Sequence, residues 1–176
     1  DSSTSRGLGD VYKRQVTVVA NHFKSKSAPE GGGAEPADGQ GFFNADRVKE
    51  ANSLKGFTTE IEETTGSSDI LLIGDFNAYA KEDPIEVFTS EGWSDVAREK
   101  APDEHTYSFD GELGSLDHVL ASPSLAASIT GAGVWSINSP EWSDRGYAFG
   151  ATEAGTPFRS SDHDPVSHTH LRAHET

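Results

Sequence analysis

The run Asp69-Ile70-Leu71-Leu72-Ile73-Gly74-Asp75-Phe76-Asn77-Ala78 constrains the fold more than any other stretch of the chain. Ile70 to Ile73 is apolar without alternation, the pattern of a strand buried on both faces, although a short buried helix segment has the same signature. Gly74 favours the strand, because it lets the chain break sharply where a sheet ends. Asp75 and Asn77 then fall at a strand's carboxyl end, where open α/β sheets place their sites. A period of two sets both side chains on one side and sends Phe76 into the core. Taken alone, an acid and an amide in this spacing read more simply as a turn that ends a strand.

A chain of 176 residues is one domain's worth, long enough to bury a core. With 34% hydrophobic residues and 18 glycines, that core is modest and the loops are many. The absence of cysteine excludes a disulfide framework, a thiolate metal site and a cysteine nucleophile. No apolar run approaches the ~20 residues of a membrane span, and no signal-peptide pattern opens the chain. A formal net charge of −15 argues against a basic groove for non-specific duplex binding. A phosphate-bearing substrate would therefore need a bound metal and a few placed Lys and Arg side chains. Such acidity suits a secreted protein or a salty habitat.

The two ends stand apart. Residues 1–15 have no hydrophobic periodicity and resemble translated adapter sequence, as does the closing segment 167–176. Both are excluded from the fold, which leaves 16–166 as part of one domain. The cluster His168, His170 and His174 is set aside with them.

Within the body, Val16 to Ala20 is a β-branched strand that delivers Asn21, His22, Phe23 and Lys24 at its end. Residues 27–41 form a long Gly-, Ala- and Pro-rich surface loop. Asn44 to about Thr64 reads as a helix with Asn44 as N-cap and Asp46 in its first turn. Val48, Ala51, Leu54, Thr58 and Ile61 make its inner face. Strand, helix and strand compose a βαβ unit, which favours parallel pairing and a layered α/β architecture. A short helix begins at Asp83-Pro84, with Pro in the first turn. Strands follow at Tyr107-Ser108-Phe109, Leu116 to Ala121 and Gly133 to Ile137, then an irregular stretch rich in aromatics, including Trp142, Tyr147 and Phe149. An acid within an apolar strand is costly to bury alone, so Asp117 requires a partner. His118 and Asp164 read as structural.

Strand ends thus supply His22, Asp75, Asn77, Asp117, Asp162 and His163. Carboxylates, an amide and histidines at element ends suit metal-assisted phosphoryl hydrolysis. A hard cation such as Mg²⁺ needs few carboxylates because it keeps several waters. A histidine held by an acid has a fixed tautomer and titrates near neutrality. No Gly-rich loop with a trailing Lys-Ser/Thr is present, which argues against a P-loop nucleotide hydrolase.

Gly74-Asp75-Phe76-Asn77, Ser115-Leu116-Asp117-His118-Val119 and Ser161-Asp162-His163-Asp164-Pro165-Val166 occur in the order and rough spacing of a known superfamily. The chain resembles the endonuclease/exonuclease/phosphatase, or deoxyribonuclease I-like, superfamily. Asn21-His22-Phe23-Lys24-Ser25-Lys26, the stretch Gly39 to Arg47, and Phe158 to His163 are most similar to its bacterial extracellular nuclease branch. The resemblance implies an α/β fold, the C-terminal half of a four-layer α/β sandwich with two mixed sheets face to face and helices outside. It implies that Asp75 orients or deprotonates the attacking water and that Asn77 hydrogen-bonds the scissile phosphate, both at the metal. Asp162 would be a metal ligand, His163 paired with Asp117 would serve acid–base chemistry, and His22 would assist the leaving oxygen. Lys24 and Arg47 are candidate phosphate contacts, with solvated surface roles as the alternative. The implied cofactor is Mg²⁺, with Mn²⁺ or Ca²⁺ as alternatives.

The superfamily's sandwich needs roughly twice this chain. Its earlier half carries a metal-binding glutamate and an acidic partner for the histidine at His22, neither of which can be assigned here. The expectation is a metal-dependent phosphodiesterase, a secreted monomeric nuclease acting on DNA or RNA, with this fragment itself inactive and one apolar face exposed. A phosphatase or a phospholipid or inositol phosphate phosphoesterase on the same fold is the first alternative. A non-catalytic acidic cation-binding module is the second.

Overall fold

In a computed structural model of the chain, residues 15–140 and 155–167 are described. The histidines at 168, 170 and 174, the aromatics Trp142, Tyr147 and Phe149, and nearly all of the two end segments lie outside these residues. The architecture is mixed α/β. Strands β1 (Thr17–His22), β2 (Ile70–Asp75), β3 (Ser94–Asp95) and β6 (Asp117–Ala121) form one sheet in the order β1-β2-β6-β3. Two ribbons, β4 (Tyr107–Phe109) with β5 (Glu112–Gly114) and β7 (Gly133–Val134) with β8 (Val166–Ser167), complete the strands among the described residues. Strand β8 reaches Ser167, one residue past the expected boundary.

The expected βαβ unit is present. Strand β1 pairs parallel with β2 in a register that sets His22 beside Asp75, and helix α1 (Asn44–Thr65) makes the crossover. Strand β6 then runs antiparallel to β2 and places Asp117 opposite Asp75. Register alone thus brings His22, Asp75 and Asp117 to one end of the sheet.

The sheet's two faces are unequal. Ile70, Leu72 and Leu120 pack under Ala51, Leu54 and Ile61 of α1 and under Ile85 and Phe88 of α2 (Asp83–Thr89). On the other face Val119 and Ala121 pack with Val96 of α3 (Val96–Lys100) and Leu125 of α4 (Pro123–Ala126). Over β1 that second face is open, and Val18 keeps 54% of its surface exposed.

Two expectations about α1 are corrected. Asn44 is not the cap: the cap position is Phe43, in a left-handed conformation, while Asn44 lies inside the helix and donates its side-chain N–H to Asp83 at 2.9 Å. The inner face also carries Arg47, fully buried, where an apolar periodicity search has no reason to look. Its guanidinium donates to the carbonyls of Lys24 (3.2 Å), Phe42 (2.7 Å) and Gln40 (2.7 Å), drawing together both ends of the 27–41 loop. Arg47 is therefore a clasp for that loop, not a phosphate contact, because the side chain is fully buried and both terminal nitrogens donate to these carbonyls.

Candidate active site

The break after β2 is enforced sterically. Gly74 has φ +126°, and a Cβ there would lie 2.1 Å from the carbonyl oxygen of Asn21. Only glycine permits both the conformation and the approach of β1. Beyond it Asp75 receives the backbone N–H of Asn77 at 2.7 Å, an Asx turn that holds Asn77 at φ 46°. Phe76 turns into the core between Phe23 and Phe88, as the alternation requires.

Asp117 has the partner that an acid within an apolar strand requires, and that partner is His163. His163 Nδ1–H donates to Asp117 Oδ2 at 2.7 Å, and the Tyr107 ring lies against the imidazole at 4.6 Å between centroids. Ligand atoms of Asp75, Asp117 and His163 all lie within 4.8 Å of one another. His22 stands at the mouth, largely exposed, with Nε2 3.6 Å from Asp75 Oδ2. These groups line a cleft of about 450 Å³ with Ser25, Ser27, Asn77, Ser161 and Asp162.

Electrostatics in the cleft follow from crowding. Burial raises the Asp75 carboxyl above the ordinary carboxylate range, and the Asp117 charge adds to the rise against the Asn77 N–H and the two histidines. Burial alone would lower His163; its bond to Asp117 and the charges of Asp117, Asp75 and Asp162 outweigh that and raise it.

The remaining sequence candidates fall at different depths. Asn77 is buried, and its amide donates to Phe23 O at 3.0 Å and to Asp75 Oδ2 at 3.1 Å. Both amide hydrogens are thereby used within the protein, so its direct partner is Asp75. Asp162 is exposed at the rim, outside the tight cluster of Asp75, Asp117 and His163. Lys24 is exposed, with Nζ 4.8 Å from the Phe43 ring centroid, and does not line the cleft. His118 is structural: Nδ1 meets Asp95 Oδ2 at 2.9 Å and Nε2 meets Ala78 O at 2.8 Å. Asp95 and Ser25 were missed by sequence reasoning. Asp95 follows Trp93-Ser94 without any pattern, and only the register of β3 with β6 brings it to His118.

Neither a family model nor a curated relative matches the sequence. Among solved structures, the chain is similar to an endonuclease/exonuclease/phosphatase family protein from Bacteroides thetaiotaomicron. That match has 23% identity and a TM-score of 0.47, and covers 71% of this chain and 45% of that one. A mannosyl-6-phosphatase from the same organism matches at 24% identity and TM-score 0.49, with the same coverage of 71% and 45%. An AP endonuclease from Archaeoglobus fulgidus matches at 15% identity and TM-score 0.49, over 86% of this chain and 60% of that one. The chain thus spans about half the length of the first two structures. The first of them carries the same family name as the sequence resemblance.

Proposed function

We propose that this chain contributes part of the active site of a metal-dependent phosphodiester hydrolase, and that the whole enzyme is an extracellular nuclease acting on DNA or RNA. The observation that carries the reading is the meeting of Asp75, Asp117 and His163 within 4.8 Å in one cleft, with His22 at its mouth. Among the described residues that line the cleft there is no Lys or Arg to offset the paired carboxylates, and their hard oxygens are the donor chemistry that suits Mg²⁺. Asp75, with Asp162 at the rim, would hold the ion, which when bound polarises a phosphate oxygen.

The chain's own groups supply the rest. Asp75 orients the attacking water and accepts its proton. Asn77 fixes the carboxylate of Asp75, and its contact with a phosphate requires that the bond to Asp75 be exchanged. Asp117 holds the His163 tautomer with Nδ1 protonated, leaving Nε2 to exchange a proton with substrate. His22, exposed at the mouth, protonates the leaving oxygen. In this reading residues 16–166 belong to a larger hydrolase domain, whose other portion supplies the metal-binding glutamate.

The test is substrate class. A protein restored to its complete gene should hydrolyse bis(p-nitrophenyl) phosphate in Mg²⁺ and cleave the monoester p-nitrophenyl phosphate far more slowly. Faster monoester hydrolysis would replace the nuclease reading with a phosphatase.

A further inference from the structure

We infer that the buried carboxylate of Asp164, with the turn at 137–139, is the positioning device that sets His163 against Asp117. The inference rests on the reading of that pair as catalytic. Asp164 is 3% exposed. Its Oδ1 accepts the backbone N–H groups of Ile137 (2.8 Å), Asn138 (2.6 Å) and Ser139 (3.2 Å), and its Oδ2 accepts the Ser139 hydroxyl at 2.7 Å. Three consecutive N–H groups aimed at one oxygen form an anion-binding nest filled from within the chain.

The nest fixes the peptide bond that follows His163 at both of its polar atoms. Asn138 Nδ2 donates to the His163 carbonyl at 2.7 Å, and the Asp164 N–H donates to Thr106 O at 2.7 Å. Thr106 is fully buried and itself receives the Asp117 N–H on its hydroxyl at 3.4 Å. Both members of the pair are therefore tied to the same knot, by backbone atoms that set position and leave the imidazole free to exchange protons. A purely packing role does not call for this chemistry. An apolar side chain would fill the space without the desolvation of a carboxylate, and a buried polar network is worth having chiefly where geometry must be unique. Asp164 is thus a positioning residue that acts through His163 and touches no substrate.

The experiment uses the chain as it stands and needs no activity. The His163 Nδ1–H proton, hydrogen-bonded to a carboxylate, gives a low-field NMR signal assigned by its loss in His163→Gln. In Asp164→Ala that signal should shift or lose at least tenfold in intensity while far-UV circular dichroism is retained. Asp95→Asn, which removes a comparably buried carboxylate, should disturb the His118 signal and leave that of His163. An unchanged His163 signal in folded Asp164→Ala would overturn the inference and leave Asp164 a stabilising residue only. If Asp164→Ala does not fold, Asn138→Ala, which removes the bond to the His163 carbonyl, is read the same way: a shifted signal supports the inference and an unchanged one overturns it. The catalytic reading fails separately, by undiminished hydrolysis in His163→Ala, whatever the NMR signal does.

Discussion

His163 Nδ1 lies 2.7 Å from Asp117 Oδ2, a bond that spans 46 residues of sequence and joins the first residue of β6 to the loop before β8. Both side chains are about four-fifths buried, so the bond is screened little by solvent and holds the imidazole in one tautomer.

Removing the acid should therefore lower the affinity of His163 for its proton. In Asp117→Asn the histidine loses its largest supporting contact and keeps its burial, so its pKa falls from its raised value. An NMR titration of the imidazole carbons checks this. In the complete enzyme the same substitution should cost about 10²- to 10⁴-fold in turnover, the usual worth of a positioned acid–base group.

Asn77 tests whether Asp75 must be held. Asn77→Ala removes both amide bonds and leaves an alanine at φ 46°. Turnover should fall by roughly tenfold or more while Mg²⁺ affinity, measured by calorimetry, is largely kept, because Asp75 remains. A cation-binding module without catalysis would respond hardly at all.

His118 makes a prediction about pH and stability. Its ring nitrogens face two acceptors, Asp95 and Ala78 O, so the buried imidazole is held doubly protonated. Burial opposes that charge; the Asp95 bond outweighs it, and the folded pKa lies above the ordinary 6.5. A raised folded pKa means that the stabilisation is full below the unfolded value and is lost as pH rises through the folded one. Urea midpoints should accordingly decline above neutrality, and His118→Gln should flatten that decline while lowering stability at acid pH.

Gly74 and Arg47 predict stability without reference to catalysis. Gly74→Ala sets a Cβ against the Asn21 carbonyl at a φ that alanine avoids, and should cost on the order of 4 kcal/mol or prevent folding. Arg47→Met keeps the bulk but leaves three part-buried carbonyls without this donor, and should cost roughly 3 kcal/mol. Urea denaturation measures both, and a change under 1 kcal/mol would contradict the clasp.

What was legible in the sequence followed local rules. The apolar run ending in Gly74, the crossover helix and the alternation in β6 fix which side chains reach the strand ends, and a buried acid at 117 demands a partner. What was not legible depends on register and on loops. Asp95 reaches His118 only because β3 pairs antiparallel with β6. Arg47 is buried because the ends of a loop with no periodicity offer it three carbonyls. Asp164 looked like a residue before a proline, and its nest is built by the turn at 137–139 in the loop after β7. The Phe43 cap was hidden for a similar reason: Asn44 has the side chain of a cap but is recruited by Asp83 across the helix pair.

The most direct test of the account is plasmid nicking by the complete enzyme, with and without Mg²⁺, beside His163→Ala. The account predicts nicking that requires Mg²⁺ and is abolished by the substitution. Nicking that persists in His163→Ala, or none from a folded wild-type enzyme in Mg²⁺, would contradict it.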